Sequence, residues 1–348
     1  MTTFNWLFAA LLALPGQARA AGPVRYIKFA TLAPQASTWM KVMDDLNKEL
    51  QERSGGSLRF KMYPGGVAGD EKDVVRKMRI GEIQAAGFTG VGIGSIAPEV
   101  RLFDSPWLFR NEGEIRALRQ KLAGRLEADL QKGGMVLLGW VDPGFVYFFT
   151  RDAVQSPEEL KNSKFKMWVW VDDPIAQAAY RAIDVSPVPL SIIDVMSSLE
   201  TGLVNGVYGP PLGVIALEWF TRTNYIYPVP VAYSAGAVLV AKRFFDSLTP
   251  AQKKLLLSLS RKHLDRLNVL SGQEASQSLK TLESRGLKMG KAPSASDLAY
   301  FEAAGKKAQK TLVSQGLFSP DIVKEADSLL QSLRRRGPPR SSKTSRGE

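Results

Sequence analysis

The stretch from Ser57 to Ile83, SLRFKMYPGGVAGDEKDVVRKMRIGEI, decides the fold class. Residues 57–63 form a strand-like run, and Pro64-Gly65-Gly66 predicts a turn after it. Residues 70–80 have helical character with acids at the start, where negative charge complements the helix dipole. Another strand-like run follows at 83–88. A strand, a helix and a second strand in this order predict an α/β protein.

The same alternation extends in both directions from this stretch. A strand is predicted at 25–31, and Ser37 is the expected N-cap of a helix that ends at Gly55-Gly56. The chain has 348 residues, enough for two lobes or domains with a real hydrophobic core. The main elements predicted downstream are a helix at 112–132, strands at 135–141 and 145–151, and a long helix at 250–284 that is interrupted near Gly272.

The composition excludes several kinds of chemistry. The chain has no Cys, so thiolate nucleophiles, cysteine zinc sites, iron–sulfur clusters and disulfides are all excluded. Its one histidine, His263, lies in a Lys/Arg-rich run, and we predict that it is a solvated residue on a helix face. A Ser-His-Asp triad or a multi-histidine metal site is therefore not expected, and we predict no metal, no cofactor and no catalytic residue.

The N-terminus has features of an export signal. Residues 6–14 are apolar, and Ala18-Arg19-Ala20 has the small-x-small pattern of a signal-peptidase site, which predicts a signal peptide at 1–20. The first five residues carry no Lys or Arg, so a frayed or buried N-terminal segment remains the alternative. No later stretch reaches the ~20 residues that span a bilayer. We therefore expect a soluble periplasmic protein.

The formal net charge of +12 invites a nucleic-acid interpretation, but its distribution argues against one. The segment 334–348 contains six Lys or Arg and one acid, and it is rich in Pro, Ser and Gly. We predict that it is a disordered basic tail, solvated or in contact with anionic lipid headgroups or an acidic partner. No nucleic-acid partner is expected.

The glycine-rich piece 87–94 does not have the pattern of a phosphate-binding loop. A dinucleotide fingerprint has the pattern G-x-G-x-x-G and opens a helix. Here the spacing between glycines is wrong, and Pro98 follows instead of a helix. We therefore predict a flexible loop between strands.

Motifs in the same order along residues 25–330 resemble one known family. The chain resembles the DctP-type extracytoplasmic solute-binding proteins of tripartite ATP-independent periplasmic (TRAP) transporters. Each motif is weak alone, but their order makes the resemblance specific. The matching pieces are Tyr63-Pro64-Gly65-Gly66-Val67-Ala68-Gly69-Asp70-Glu71, Met78-Arg79-Ile80-Gly81-Glu82-Ile83, Phe103-Asp104-Ser105-Pro106-Trp107-Leu108-Phe109, Val188-Pro189-Leu190, Leu199-Glu200-Thr201-Gly202-Leu203-Val204-Asn205-Gly206 and Leu248-Thr249-Pro250-Ala251-Gln252.

The resemblance implies two α/β lobes, joined by hinge strands and braced by a long helix. It places lobe 1 at 21–148 plus 233–265 and lobe 2 at 149–232 plus 266–333. The lobes would close on a small molecule in the cleft between them and deliver it to membrane permease subunits. No enzymatic activity is implied.

Three positions depart from the family pattern. Members usually hold an organic carboxylate with an arginine in a Lys-x-Arg-Val strand, and this chain has Trp168 at that position. A second family arginine position is Phe148, and the family's ligand-binding asparagine is Gly209. A buried anion without such donors is costly, so the expected ligand is neutral or hydrophobic, such as a lipid-like molecule. The predicted ligand contacts are Trp168, Phe148, Gly209, Tyr208, Trp170, Phe145 and Phe88.

Three alternatives remain open at this point. Trp168 and Trp170 share one face of a strand, and that face could pack under a helix instead of facing the cleft. Organic carboxylate binding could be retained through a relocated arginine, Arg151 or Arg181. The scaffold could also serve a lipid-handling protein without a permease, or an enzyme that uses Asp142, Asp172 or Asp173, although Asp172-Asp173 before Pro174 is more typical of a helix N-cap.

Overall fold

The computed structural model describes residues 24–162 and 164–336. The signal peptide predicted at 1–20 lies outside these residues. Among the helices that are described, none combines the length and the apolar character needed to cross a membrane.

The strands are β1 (Arg25–Ala30), β2 (Leu58–Tyr63), β3 (Ala85–Thr89), β4 (Met135–Thr150), β5 (Trp168–Trp170), β6 (Val188–Leu190), β7 (Gly206–Gly209), β8 (Tyr225–Ile226), β9 (Ala232–Ala241) and β10 (Lys288–Met289). The helices are α1 (Thr38–Arg53), α2 (Glu71–Ile80), α3 (Gly90–Gly94), α4 (Glu112–Lys132), α5 (Pro174–Ala182), α6 (Val195–Thr201), α7 (Pro211–Ala216), α8 (Lys242–Asp246), α9 (Pro250–Ser284), α10 (Ala295–Ser314) and α11 (Pro320–Arg336). Short 3₁₀ turns lie at Pro98–Asp104, Pro157–Lys161, Ile192–Asp194 and Trp219–Thr221.

One mixed sheet runs through both lobes in the order β10-β8-β4-β9-β3-β1-β2, with β7 also paired to β4. In lobe 1, β1 is parallel to β2 and β3, whereas β9 is antiparallel to β3 and to the first part of β4. In lobe 2, the end of β4 pairs with β7 and β8, and the two-stranded sheet β5-β6 lies apart. The α/β class is confirmed, and the residue boundaries assigned to the lobes stay a prediction.

The strand β4 connects the two parts of the sheet. The sequence predicted two strands here, and the structure has one strand of 16 residues. The register of β4 against β9 shifts between Val141 and Gly144, where the break was predicted. Such an irregularity bends a strand without ending it, because pairing resumes on the other side.

The long helix α9 packs against both lobes. Thr249 and Gln252 form a capping box at its start. Leu256 and Leu264 pack in the core of lobe 1, whereas Leu282 joins the apolar cluster of lobe 2. The helix continues through Gly272, so the predicted interruption is wrong. A glycine costs a helix only about 1 kcal/mol, which tertiary packing readily offsets.

His263 is buried, and the prediction of a solvated histidine is wrong. Its Nε2 lies 2.7 Å from the Glu49 carboxylate on α1, which also accepts a hydrogen bond from Lys262. At helical spacing His263 shares the inward face of α9 with Leu256 and Leu267. The charged residues next to it in the sequence are exposed, and two of them, Lys262 and Arg266, reach acids of α1 from the rim of this contact.

Two further predictions need correction. The basic tail does not begin at Arg334, because α11 includes Arg334 and this side chain donates to Glu114 and to the carbonyl of Leu108. The glycine-rich piece is not a loop, because Thr89 caps the short helix α3. A Cβ at Gly90 would collide with the Asp104 carboxylate, so the glycines allow α3 to pack closely.

Candidate functional site

A cavity of about 580 Å³ lies between the lobes. This volume is within the usual range of small-molecule sites. Lobe 1 contributes the segment that leads into α1, the end of β3 and the 3₁₀ turn at Pro98–Asp104. Lobe 2 contributes β5, α5, the end of β7 and α7.

Aromatic rings from lobe 2 form much of the cavity wall. Trp168 stacks on Tyr208 with ring centroids 4.8 Å apart, and Trp219 meets Trp168 edge-on at 5.3 Å. Phe148 stacks on Tyr180 at 5.8 Å. The indole N–H of Trp168 donates to the carbonyl of Leu190, so the ring is held in place and presents carbon to the cavity. The wall is therefore rigid and apolar.

Six of the seven predicted ligand contacts line this cavity: Trp168, Phe148, Gly209, Tyr208, Trp170 and Phe88. Phe145 does not, and it packs edge-on against Tyr233 at 5.3 Å. Side chains alternate along a strand, so Val146 and Phe148 face the cavity and Phe145 faces away. A ligand contact for Phe145 is not supported by its position.

The two tryptophans of β5 share a face, as the alternation of a strand predicts. Both line the cavity, whereas Met167 lies against Gly206 on the other side. Trp168 is 1% exposed and Trp170 is 5% exposed, and both belong to the apolar cluster of lobe 2. The interpretations as core and as cavity wall are thus compatible, because these rings fill both roles.

A buried ion cluster lies at the junction of the lobes and lines the cavity. The guanidinium of Arg101 donates from Nε to Asp104 at 2.6 Å and pairs with both oxygens of Asp173, at 3.0 and 3.1 Å. Burial raises the pKa of Asp104, although Arg101 and the amide of Ala235 oppose the shift. The N-cap predicted at Asp172-Asp173 is confirmed, because Asp173 accepts from the amide of Ile175. Two carboxylates share one guanidinium in this cluster.

Glu71 is a second buried acid in the cavity lining. It accepts hydrogen bonds from the amide and the hydroxyl of Thr89, at 2.7 and 2.8 Å, and from the amide of Gly92 at 2.7 Å. Burial outweighs these bonds and raises the pKa of Glu71 to about 7. Its carboxyl group is therefore partly protonated near neutral pH.

Hydrogen bonds beside the cavity connect the two lobes. Asp70 on lobe 1 accepts from the indole N–H of Trp170, at 3.0 and 3.2 Å, and from the hydroxyl of Ser191. Lys72 donates to the carbonyls of Val171 and Asp172, at 3.2 and 3.1 Å. We refer to this set of contacts as the clasp. These contacts join the two lobes, and Trp170 belongs both to the cavity wall and to the clasp.

The two arginines considered as relocated anchors lie elsewhere. Arg151 donates to the carbonyl of Leu199, and Arg181 is exposed beside Gln177; neither lines the cavity. Within 24–162 and 164–336, Arg101 is the arginine that reaches the cavity lining. Arg101 was not among the predicted site residues, although a lone arginine within the apolar run Val100-Arg101-Leu102-Phe103 could have indicated a buried partner. Glu71, Tyr180 and Trp219 were not predicted either, and they carried no comparable signal.

The carboxylates considered for catalysis are already engaged or exposed. Asp142 lines the cavity but pairs with Arg119 through both oxygens, at 2.5 and 2.9 Å. Asp173 is held by Arg101, and Asp172 points to solvent. No group of three or more metal-binding side chains occurs in the part of the chain that the structure covers.

Comparison with known proteins identifies the family. The family model of bacterial extracellular solute-binding proteins, family 7 (DctP), matches residues 29–315. The 2,3-diketo-L-gulonate-binding periplasmic protein of Escherichia coli is 23% identical over 94% of this chain and 98% of its own length. A solute-binding protein of Verminephrobacter eiseniae is 24% identical over 63% of this chain, and the match spans 65% of that protein.

Solved structures show the same fold. The sugar acid binding protein of Advenella mimigardefordensis, in complex with galactonate, has a TM-score of 0.82 at 18% identity and covers 89% of this chain and 99% of its own. A TRAP periplasmic solute-binding protein of Sulfitobacter with bound β-D-galacturonate has a TM-score of 0.80 at 19% identity, with 89% and 100% covered.

The ligands named for the Escherichia coli protein and for the two solved structures are sugar acids, which are carboxylates. They do not support the expectation of a hydrophobic ligand, and they favour the alternative of a carboxylate. The family itself transports solutes and is not an enzyme family. Because the family model matches most of the chain and the two-lobe structure agrees with it, this chain belongs to the DctP family of TRAP periplasmic solute-binding proteins.

Proposed function

We propose that this protein captures a small organic solute with a mainly apolar body between its lobes and delivers it to the permease subunits of a TRAP transporter. The observation that carries the ligand class is the aromatic wall, built from Trp168, Trp219, Tyr208 and Phe148. Burying roughly 200 Å² of apolar solute surface against such a wall contributes about 5 kcal/mol. That gain does not require a charged anchor.

The ion cluster disfavours an anion in the same cavity. Each end of the Arg101 guanidinium already faces a carboxylate, from Asp104 on one side and Asp173 on the other. A ligand carboxylate would bring a third negative charge to one buried positive charge. Arginine is an effective carboxylate anchor when its guanidinium is unpaired, and here it is already paired. The cost of desolvating the ligand carboxylate would therefore not be offset.

An organic carboxylate is the second candidate, and the ligands of the relatives favour it. In this cavity it would have to use Arg101. A guanidinium has five N–H groups, and the three contacts with Asp104 and Asp173 leave two of them for a ligand. This candidate therefore requires the ligand carboxylate to share the guanidinium of Arg101 with Asp104 and Asp173.

The deciding experiment is native mass spectrometry of the purified protein, followed by organic extraction and identification of the bound molecule. We expect an apolar-bodied compound. Titration of the ligand-free protein with D-glucuronate, D-galacturonate and L-gulonate, monitored by isothermal calorimetry, completes the test. Micromolar binding of any of these sugar acids would overturn the proposed ligand class and leave solute capture in place.

Two neighbouring phenylalanines provide a matched pair of variants. Phe148 lines the cavity, whereas Phe149 is equally buried and points to the other face of β4. Phe148→Leu should lower the affinity for the extracted compound about tenfold or more, and Phe149→Leu should lower only the thermal stability. Equal affinities of the two variants would show that the compound binds elsewhere.

A further inference from the structure

We propose that the solute carries an ammonium group, and that this group binds at the wall formed by Asp104, Arg101 and Asp173. The proposal rests on the proposed function, because it specifies the polar end of the apolar-bodied solute in the same cavity. It is carried by two features of the lining: an unbalanced negative charge and the aromatic faces around it.

The charges of the lining do not balance. Among the residues that the structure describes, one cation, Arg101, reaches the cavity, and the carboxyl groups in the lining are those of Glu71, Asp104, Asp142, Asp173 and Glu274. Asp142 is neutralised from behind by the bidentate Arg119, and Glu274 accepts from the Thr38 hydroxyl. Even with Glu71 protonated, the ion cluster keeps two carboxylates for one guanidinium.

This excess charge is buried. Asp104 is 8% exposed, Asp173 is 3% exposed and Arg101 is 5% exposed. In a site of low dielectric constant an unpaired charge is expensive, and a ligand charge of opposite sign is worth more than it would be in water. A cationic solute would restore neutrality, whereas an anionic solute would double the imbalance.

The aromatic wall suits the same group. Trp168, Trp170, Trp219 and Tyr208 line the cavity, with Trp168 at the centre of the group. Indole and phenol faces attract ammonium groups through their quadrupoles, and the attraction is strongest where water is excluded. Burial and the carboxylate of Asp173 raise the pKa of Tyr208, so its ring remains a neutral phenol beside the cluster. The apolar body and the cationic head can therefore be held by one wall.

Three probes with the same ring and different heads test this proposal: cyclohexylmethylamine, cyclohexanemethanol and cyclohexanecarboxylate. Each is titrated by isothermal calorimetry into the purified protein after its bound molecule has been removed. We expect the amine to bind about tenfold or more tightly than the alcohol, and the carboxylate to bind weakest.

Charge-removing variants locate the interaction. Asp173→Asn keeps an N-cap residue at α5 and removes the excess charge, so the preference for the amine over the alcohol should disappear. Asp104→Asn makes the same change on the other lobe and should have the same effect. It replaces Asp173→Asn as the test if that variant folds poorly. Asp265→Asn, at an exposed position on α9, changes the net charge equally and should keep the wild-type order.

The outcomes separate this proposal from the proposed function. If the alcohol binds as tightly as the amine, or if none of the probes binds, the ammonium proposal is overturned, while an extracted apolar compound still supports solute capture. If the carboxylate binds tightest, both the ammonium group and the apolar ligand class are wrong. A preference for the amine that survives in both asparagine variants would also refute the assignment to the ion cluster.

Discussion

Replacing Arg101 by methionine would test the ion cluster directly. The change keeps a long apolar stem and removes the guanidinium that contacts Asp104 at 2.6 Å and Asp173 at 3.0 and 3.1 Å. Both carboxylates would remain buried without a positively charged partner, with only backbone amides to donate to them. Breaking a buried ion pair in this way destabilises a protein by about 3–5 kcal/mol, because the surviving charge keeps its desolvation penalty.

The sign of the pH dependence follows from the same geometry. Burial already raises the pKa of Asp104, and the loss of Arg101 would raise it further. An acid whose pKa is higher in the folded state than in the unfolded state gains stability on protonation. The deficit of Arg101→Met should therefore be largest at pH 7 and should shrink at pH 5.

Unfolding in guanidinium chloride, monitored by circular dichroism at pH 7 and at pH 5, measures the loss of unfolding free energy at each pH. Arg266→Met is the matched control, since it breaks an exposed pair with Asp45 and should change the free energy of unfolding by at most about 1 kcal/mol. Arg101→Met combined with Asp173→Asn should recover part of the loss. A loss no larger than that of the control, or one that does not depend on pH, would refute the assignment of an ion cluster with excess negative charge.

Two further predictions concern the cavity wall and the clasp. Burial raises the pKa of Glu71 from 4.5 to about 7, so its protonated form favours folding, and the free energy of unfolding should fall by about 3 kcal/mol as pH rises from 4.5 to 7. Glu71→Gln should flatten this part of a curve of unfolding free energy against pH, and an unchanged slope would contradict the assignment. Trp170→Phe keeps an aromatic ring but removes the indole N–H that donates to the Asp70 carboxylate, so the lobes should open more readily. Small-angle X-ray scattering should show a larger radius of gyration for this variant without ligand. An unchanged radius would mean that the other clasp contacts suffice.

Much of the fold could be predicted because its signals are local. Periodicity placed α4 and α9, turn residues placed the end of β2, and alternation placed Trp168 and Trp170 on one face. The errors arose where long-range packing decides. His263 is buried because α9 packs on α1, and Arg334 is ordered because it reaches Glu114 across 220 residues of sequence.

The charge of the site could not be predicted for the same reason. Arg101 and Asp173 are 72 residues apart, and neither belongs to a motif that relates the two positions. The role of helix N-cap was enough to explain an aspartate at position 173, so the sequence did not indicate that Asp173 also pairs with Arg101. Only the contact between the lobes shows that one carboxylate caps a helix, pairs with an arginine and faces the cavity.

The replacement at position 168 and the excess charge have a common physical consequence. The resemblance places an arginine of the family where this chain has Trp168, and the lining of this chain also contains the two acids of the ion cluster. An arginine there would balance the second carboxylate, and the lining would then have no excess charge to oppose an anion. With tryptophan, one negative charge stays uncompensated and an aromatic face takes the place of the guanidinium. Under the proposed function, Trp168 therefore removes one carboxylate anchor and places an aromatic face beside the excess charge, and both changes favour a cation over an anion.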